Sequence, residues 1–123
     1  TVNLAADGDM VLMVYSTALS KWRCNYSGRR LPTITTKTTT YTALATDDYL
    51  LGDASGGAFS ITLPAATSST GLVLTVKKID ASANAVTIDG NASETIDGAT
   101  TKALSSQYAS YQIVCTGSEW LIV

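Results

Sequence analysis

Leu72-Val73-Leu74-Thr75-Val76-Lys77-Lys78-Ile79 decides the fold class. Leu72, Leu74 and Val76 fall on one parity, Val73, Thr75 and Lys77 on the other. Successive side chains of an extended chain point to opposite faces, so this is a strand with one face buried. Phe59-Ser60-Ile61-Thr62-Leu63 alternates in the same way, and Pro64 ends it because proline cannot donate to a ladder. Outward from these two, residues 41–44 and 49–51 read as short strands around an Asp47-Asp48 turn. Residues 53–57 and 65–71 read as loops, and 85–88 and 94–96 as further short strands. Asp89-Gly90 and Asp97-Gly98 follow as turns, since Asp-Gly favours the positive φ of tight hairpins. Residues 108–115 and 120–123 make a last hairpin around Gly117-Ser118. Near the start, residues 10–15 and 22–26 make another, joined by residues 16–21.

Eight or nine short strands at this spacing predict an all-β fold: an antiparallel β-sandwich, jelly-roll-like or barrel module. No stretch reads as a helix that could serve as a crossover, so a parallel sheet is not expected. The first hairpin matches the last. Leu4, Val11-Leu12-Met13-Val14, Trp22 and Arg23 line up with Leu104, Tyr111-Gln112-Ile113-Val114, Trp120 and Leu121, with a longer turn in the first. The alternative is two generic Trp-bearing hairpins. The expected division is residues 1–30 as the closing hairpin of a preceding repeat, 31–40 as a Thr-rich linker or extended crossing segment, and 41–123 as a complete β module. Arrays of such modules suit a fibre, a spike or a decoration protein. The chain begins at Thr1, and the expectation is a piece or processed product of something longer.

The composition narrows the function. The chain has 123 residues, one domain's worth, with 46% apolar and only 15% charged residues and a net charge of −2. Thr, Ser, Ala and Gly fill the deficit. Eight Lys and Arg among ten acids leave no basic stripe for nucleic acid. No apolar run reaches the roughly 18 residues needed to span a bilayer. No basic start followed by an apolar core is present, so no signal peptide is read. There is no His, and the two cysteines, Cys24 and Cys115, have no CxxC spacing. They read as small buried hydrophobes, with a disulfide as the alternative; a zinc site lacks ligands.

Taken together, Asp53-Ala54-Ser55-Gly56-Gly57, Ile61-Thr62-Leu63-Pro64-Ala65-Ala66, Leu74-Thr75-Val76-Lys77-Lys78, the run from Asp80-Ala81-Ser82-Ala83-Asn84 through Ala85-Val86-Thr87-Ile88-Asp89-Gly90, and the closing Gly117-Ser118-Glu119-Trp120 form a set. The set resembles a module of phage virion surface proteins: tail fibres, tail spikes, and head-fibre or decoration proteins. It covers about two-thirds of the chain, from Tyr41 to Val123. The resemblance implies an antiparallel β module, trimeric, on a virion assembled in the bacterial cytoplasm. The implied partners are itself and other virion proteins, with host surface polysaccharide as a further candidate and with neither nucleic acid nor membrane insertion. It carries over no catalytic or ligand residue and no cofactor. A tail fibre or spike segment is the first reading, and a head fibre or capsid decoration protein the second. A glycan-binding receptor-recognition module for host attachment is the third.

Candidate chemistry is thin. Asp47 and Asp48 are adjacent in a turn and point apart, which does not suit paired acid–base work. Asp89-Gly90-Asn91-Ala92-Ser93-Glu94 partly mimics a calcium loop, but Glu94 stands where the bend needs glycine. Thr87-Ile88-Asp89-Gly90 and Thr95-Ile96-Asp97-Gly98 read better as two strand exits. Ser and Thr are plentiful, yet no His is present to activate them. The expectation is therefore no enzyme, no cofactor and no metal. Trp22, Trp120, Tyr26, Tyr41, Tyr49, Tyr108 and Tyr111 could pack in the core or line a sugar surface. Lys21, Arg23, Arg29 and Arg30 form the basic cluster, read as a solvated patch or a docking point. Glycan or partner contact is thus placed at Trp22, Arg23, Tyr26, Arg29 and Arg30.

Overall fold

The computed structural model describes residues 30–123. The chain divides into two units, Thr1–Leu31 and Pro32–Val123, and the second is the one described below. The hairpin expected at residues 10–26 and its repeat relation lie outside the described residues.

Among the described residues nine strands run in order: β1 Ile34–Lys37, β2 Tyr41–Thr42, β3 Tyr49–Gly52, β4 Phe59–Thr62, β5 Val73–Lys78, β6 Val86–Asp89, β7 Thr101–Leu104, β8 Ser110–Cys115 and β9 Trp120–Ile122. A short 3-10 turn at Ala66–Ser68 interrupts the small-residue loop. Two sheets result, one with the order β1-β3-β5-β8-β9 and one with β2-β4-β6-β7. Strands β1, β3 and β5 are parallel, and so are β2, β4 and β6. Strands β7, β8 and β9 join antiparallel.

This corrects the antiparallel expectation. Parallel neighbours need a connection that returns the chain to the same end of the sheet. A helix is the usual solution, and its absence argued against parallel pairing. Here the strand of the opposite sheet does that job. The chain crosses from one sheet to the other and back, β1 to β2 to β3 to β4, then β5 to β6. Each pair of strands is one turn of a flattened coil, and three turns stack. Ile34, Tyr49 and Thr75 then stand side by side in one sheet, as Tyr41, Ile61 and Ile88 do in the other. The antiparallel segment from β7 to β9 closes the last turn.

The Thr-rich stretch expected as a linker supplies β1 and the corner before β2. Residues 94–96, expected as a strand, hold only a bridge at Ile96, which pairs with Ala99 and Trp120. Strand β7 was not foreseen, because in Thr101-Lys102-Ala103-Leu104 the inward positions are Lys102 and Leu104, so the residue types show no apolar alternation. Asp97-Gly98 is the expected tight turn. Both have positive φ, 49° and 83°, and Ile96 and Ala99 exchange backbone hydrogen bonds around them. Asp89-Gly90 is not such a turn. Gly90 is required by a close approach: a Cβ there would lie 2.2 Å from the Glu94 carbonyl oxygen.

One core lies between the sheets. Leu50, Leu74, Val76 and Ile113 from the first meet Ile61, Val86, Ile88 and Leu104 from the second, all buried. Trp120 and Ile96 fill the closed end. Gly52 lets the sheets approach, since a Cβ there would sit 2.7 and 2.9 Å from the two methyls of Val86. Cys115 is buried with a free thiol facing the Ala66 carbonyl at 3.4 Å. Among the described residues no helix is long and apolar enough to cross a membrane.

Candidate interaction surface

Alternation gives each sheet an outward face, and the two faces differ. On the four-stranded sheet the outward rows are Ser60, Thr87 and Ala103, then Thr62, Asp89 and Thr101. That face is small and hydroxyl-rich. On the five-stranded sheet one row is Ile34, Tyr49, Thr75 and Gln112, and the next holds Val73, Val114 and Leu121. Val123 extends the first row, its N–H bonded to the Gln112 carbonyl. Ile34, Tyr49, Val73, Leu121 and Val123 are all exposed large hydrophobics. A water-facing strand face normally carries polar side chains, so exposed apolar residues gathered on one face mark an interaction surface. The formal charge among these outward positions is Lys77. Its ammonium donates to the Tyr108 carbonyl at 3.2 Å and lies 5.5 Å from the centre of the Tyr108 ring.

The motif residues build the corners between the strands of the two sheets. Asp53 and Asp80 occupy successive corners, each followed by Ala and Ser. Each carboxylate accepts the N–H of the serine two residues on, Ser55 or Ser82. Asp80 does more. It also accepts the Ala54 N–H at 2.8 Å, the Ser82 hydroxyl, and the ammonium of Lys78 at 2.7 Å. The Asn84 amide donates to the Ala54 carbonyl at 2.9 Å, and the Ser82 Oγ lies 3.2 Å from the same oxygen. One turn of the coil is thereby tied to the next through side chains. Lys78, with the Ser82 hydroxyl next, holds the Asp80 carboxyl well below the usual carboxylate range. Lys78 sits on the inward parity of β5 with Leu74 and Val76 and is fully buried. The sequence reading saw Lys77-Lys78 only as part of the motif. The signal was available, because Lys78 shares the parity of the buried residues and an aspartate follows two positions later.

At the first turn, buried Asp47 accepts the Tyr41 hydroxyl at 2.8 Å and the Leu44 N–H at 2.8 Å. Burial first, then this carboxylate, push the Tyr41 hydroxyl above its ordinary pKa. The Lys37 ammonium covers the other side of the Tyr41 ring, 3.7 Å from its centre. The carboxylate of Glu94, the residue that stands where a calcium loop needs glycine, accepts the Ala66 N–H at 3.0 and 3.2 Å. An open groove of about 490 Å³ runs between the first two corners, lined by Thr38, Thr39, Thr40, Gly56, Gly57, Ala58 and Phe59.

Of the residues expected to contact a glycan or partner, Trp22, Arg23, Tyr26 and Arg29 lie outside the described residues. Arg30 is described and exposed. Trp120 is fully buried, so its ring packs in the core. Its indole N–H has no acceptor among the described residues. No protein-family model matches the chain, and no curated protein matches it.

Proposed function

We propose that this chain is a structural module of a bacteriophage virion, a trimeric segment of a tail fibre or tail spike. Its work is mechanical: a stiff β unit that holds its shape and joins copies of itself at the virion surface. One observation carries the reading. The residues that resemble the virion module go into shape, as corner carboxylates, inward strand positions and close-packing glycines. Asp53 fixes its own corner, Asp80 and Asn84 tie successive turns, and Ile61, Leu63, Val76, Val86 and Ile88 fill the core.

An antibody raised against the chain, used with gold labelling on virions of the phage, tests the location. Label along the tail fibres or spikes is the expected result. Label confined to the head would replace this reading with that of a head fibre or decoration protein. Light scattering coupled to gel filtration tests the assembly, with three times the mass of the chain expected.

A further inference from the structure

We propose that the Tyr108 ring of one copy of this chain seats in the Thr38–Phe59 groove of the next, head to tail, and closes a ring of three; this deepens the appendage reading and rests on its trimer. Tyr108 and Ala109 stand opposite the single residue Lys78. The Tyr108 N–H donates to the Lys78 carbonyl at 2.7 Å, and the Lys78 N–H donates to the Ala109 carbonyl at 2.9 Å. The left-handed position of such a bulge ordinarily takes glycine. Tyr108 holds φ +68° there and is 61% exposed. A bulky residue in that region is strained, and an exposed ring recovers little of the cost by burial. Strain kept for a side chain that its own fold leaves in water points to a contact made outside the fold.

The same chain carries a place for that ring. The corner after β1 reaches β2 in three residues, while the corner after β3 takes six to reach β4. The shorter corner leaves the longer one uncovered, which opens the groove of about 490 Å³. A Cβ on Gly56 or Gly57 would meet nothing within 4 Å, so the groove floor is bare backbone. Phe59 offers a ring to pack against, and Thr38, Thr39 and Thr40 offer hydroxyls to a phenol O–H. Charge agrees with this occupant. Lys77 accompanies Tyr108, its ammonium 5.5 Å from the ring centre, and Asp53 opens the corner that floors the groove. The ion pair beside them joins Lys78 to Asp80, which leaves Lys77 and Asp53 without one among the described residues. Lys37, next to the groove, is turned onto the Tyr41 ring.

Position sets the symmetry. Lys37, Gly52 and Lys78 stand side by side in register, so both corners and Tyr108 lie along one end of the five-stranded sheet. Three strand steps of about 4.8 Å separate β1 from β8, roughly 14 Å in all. A projection and a cavity at opposite ends build an open filament, whereas the two at one end, turned from each other, close a small ring. A ring of three needs a turn of about 60° between them. Three strand steps of about 20° each supply it.

The test uses the full chain and two variants that the fold tolerates. Tyr108→Gly removes the ring and relieves the strain, so it should melt at or above the parent's temperature. Gly56→Leu fills the groove from a position with open space around its Cβ. Native mass spectrometry across a concentration range should show each variant forming trimer roughly tenfold or more weakly than the parent. A photoreactive benzoylphenylalanine at position 108, in a mixture of isotope-labelled and unlabelled chains, should form adducts between chains at residues 38–40 or 56–59. Trimer formed equally well by both variants, or adducts at other residues, would overturn the proposal; the subunit contact then lies elsewhere and the appendage reading stands. A parent chain that is monomeric at every concentration overturns it as well. Virions without gold label remove the appendage reading whatever Y108G does.

Discussion

The ammonium of Lys78 lies 2.7 Å from the Asp80 carboxylate and 3.0 Å from the Asp80 carbonyl oxygen, and the lysine side chain is wholly buried. Breaking a buried pair on either side strands the remaining charge, and the cost depends on the partners that charge keeps: Lys78 would keep only the Asp80 carbonyl. Asp80 keeps its bonds from Ala54 and Ser82 when the lysine is gone. Asp80→Asn should therefore lower the melting temperature more than Lys78→Met. Thermal unfolding followed by circular dichroism ranks them, and the reverse order would mean that the lysine stem, not its charge, dominates.

The same pair sets the acid limit. Asp80 titrates lower in the folded chain than in the unfolded one, where a carboxyl group has a pKa of roughly 3.9. Its contribution to stability is fully present above that value and is lost as pH falls through the folded pKa. Denaturant midpoints should be level from about pH 7 to pH 5 and drop below about pH 4, with a shallower drop in Asp80→Asn. Tyr41 works at the other end. Its raised pKa makes its contribution fully present below about pH 10 and lost as pH climbs through the folded value, so Tyr41→Phe should flatten the alkaline limb.

Gly52 and Val86 share one place between the sheets. Gly52→Ala should cost about 1–3 kcal/mol, the range for overpacking a filled core. Val86→Ala removes both methyls that the new Cβ would meet. The double variant should therefore be as stable as Val86→Ala alone, and urea titration of the four proteins gives the coupling. Additive losses would mean that the sheets separate freely and that the close approach is incidental.

Two glycines in similar contexts should respond differently. Gly98 has φ +83° with nothing near its missing Cβ, so Gly98→Ala should cost about 1 kcal/mol for a left-handed conformation. Gly90 faces the Glu94 carbonyl, a backbone atom that cannot rotate away. Gly90→Ala should leave little folded protein at 37 °C, and solubility with circular dichroism distinguishes the two outcomes.

The strands were legible in the sequence where one face is buried and the other is not. Leu74, Val76, Phe59, Ile61 and Ile113 show that period directly. Their partners' direction was not legible, because alternation is identical in parallel and antiparallel pairs. Short corners such as Asp53-Ala54-Ser55-Gly56-Gly57 look like hairpin turns, yet they carry the chain across the core to the other sheet. Strand β7 has no apolar alternation in its residue types and is fixed by pairing with β6. The apolar outward face escaped notice because Ile34, Tyr49, Val73 and Leu121 are far apart in the chain and meet only through register. Asp80 was read only as part of the motif, and the buried lysine it neutralises becomes visible only when the parity of β5 is followed to its last residue.

Stacked turns closed at one end give this unit a direction of growth. Past β6 the chain reverses, and the hairpin of β8 and β9 leaves no place for another turn without being taken apart. Among the described residues, β1 and β2 are the outermost strands of their sheets on the opposite side. A duplicated turn inserted between β2 and β3 would find the same parallel register on both sides. Lengthening the unit is then a matter of copying one segment, while its closed end stays unchanged.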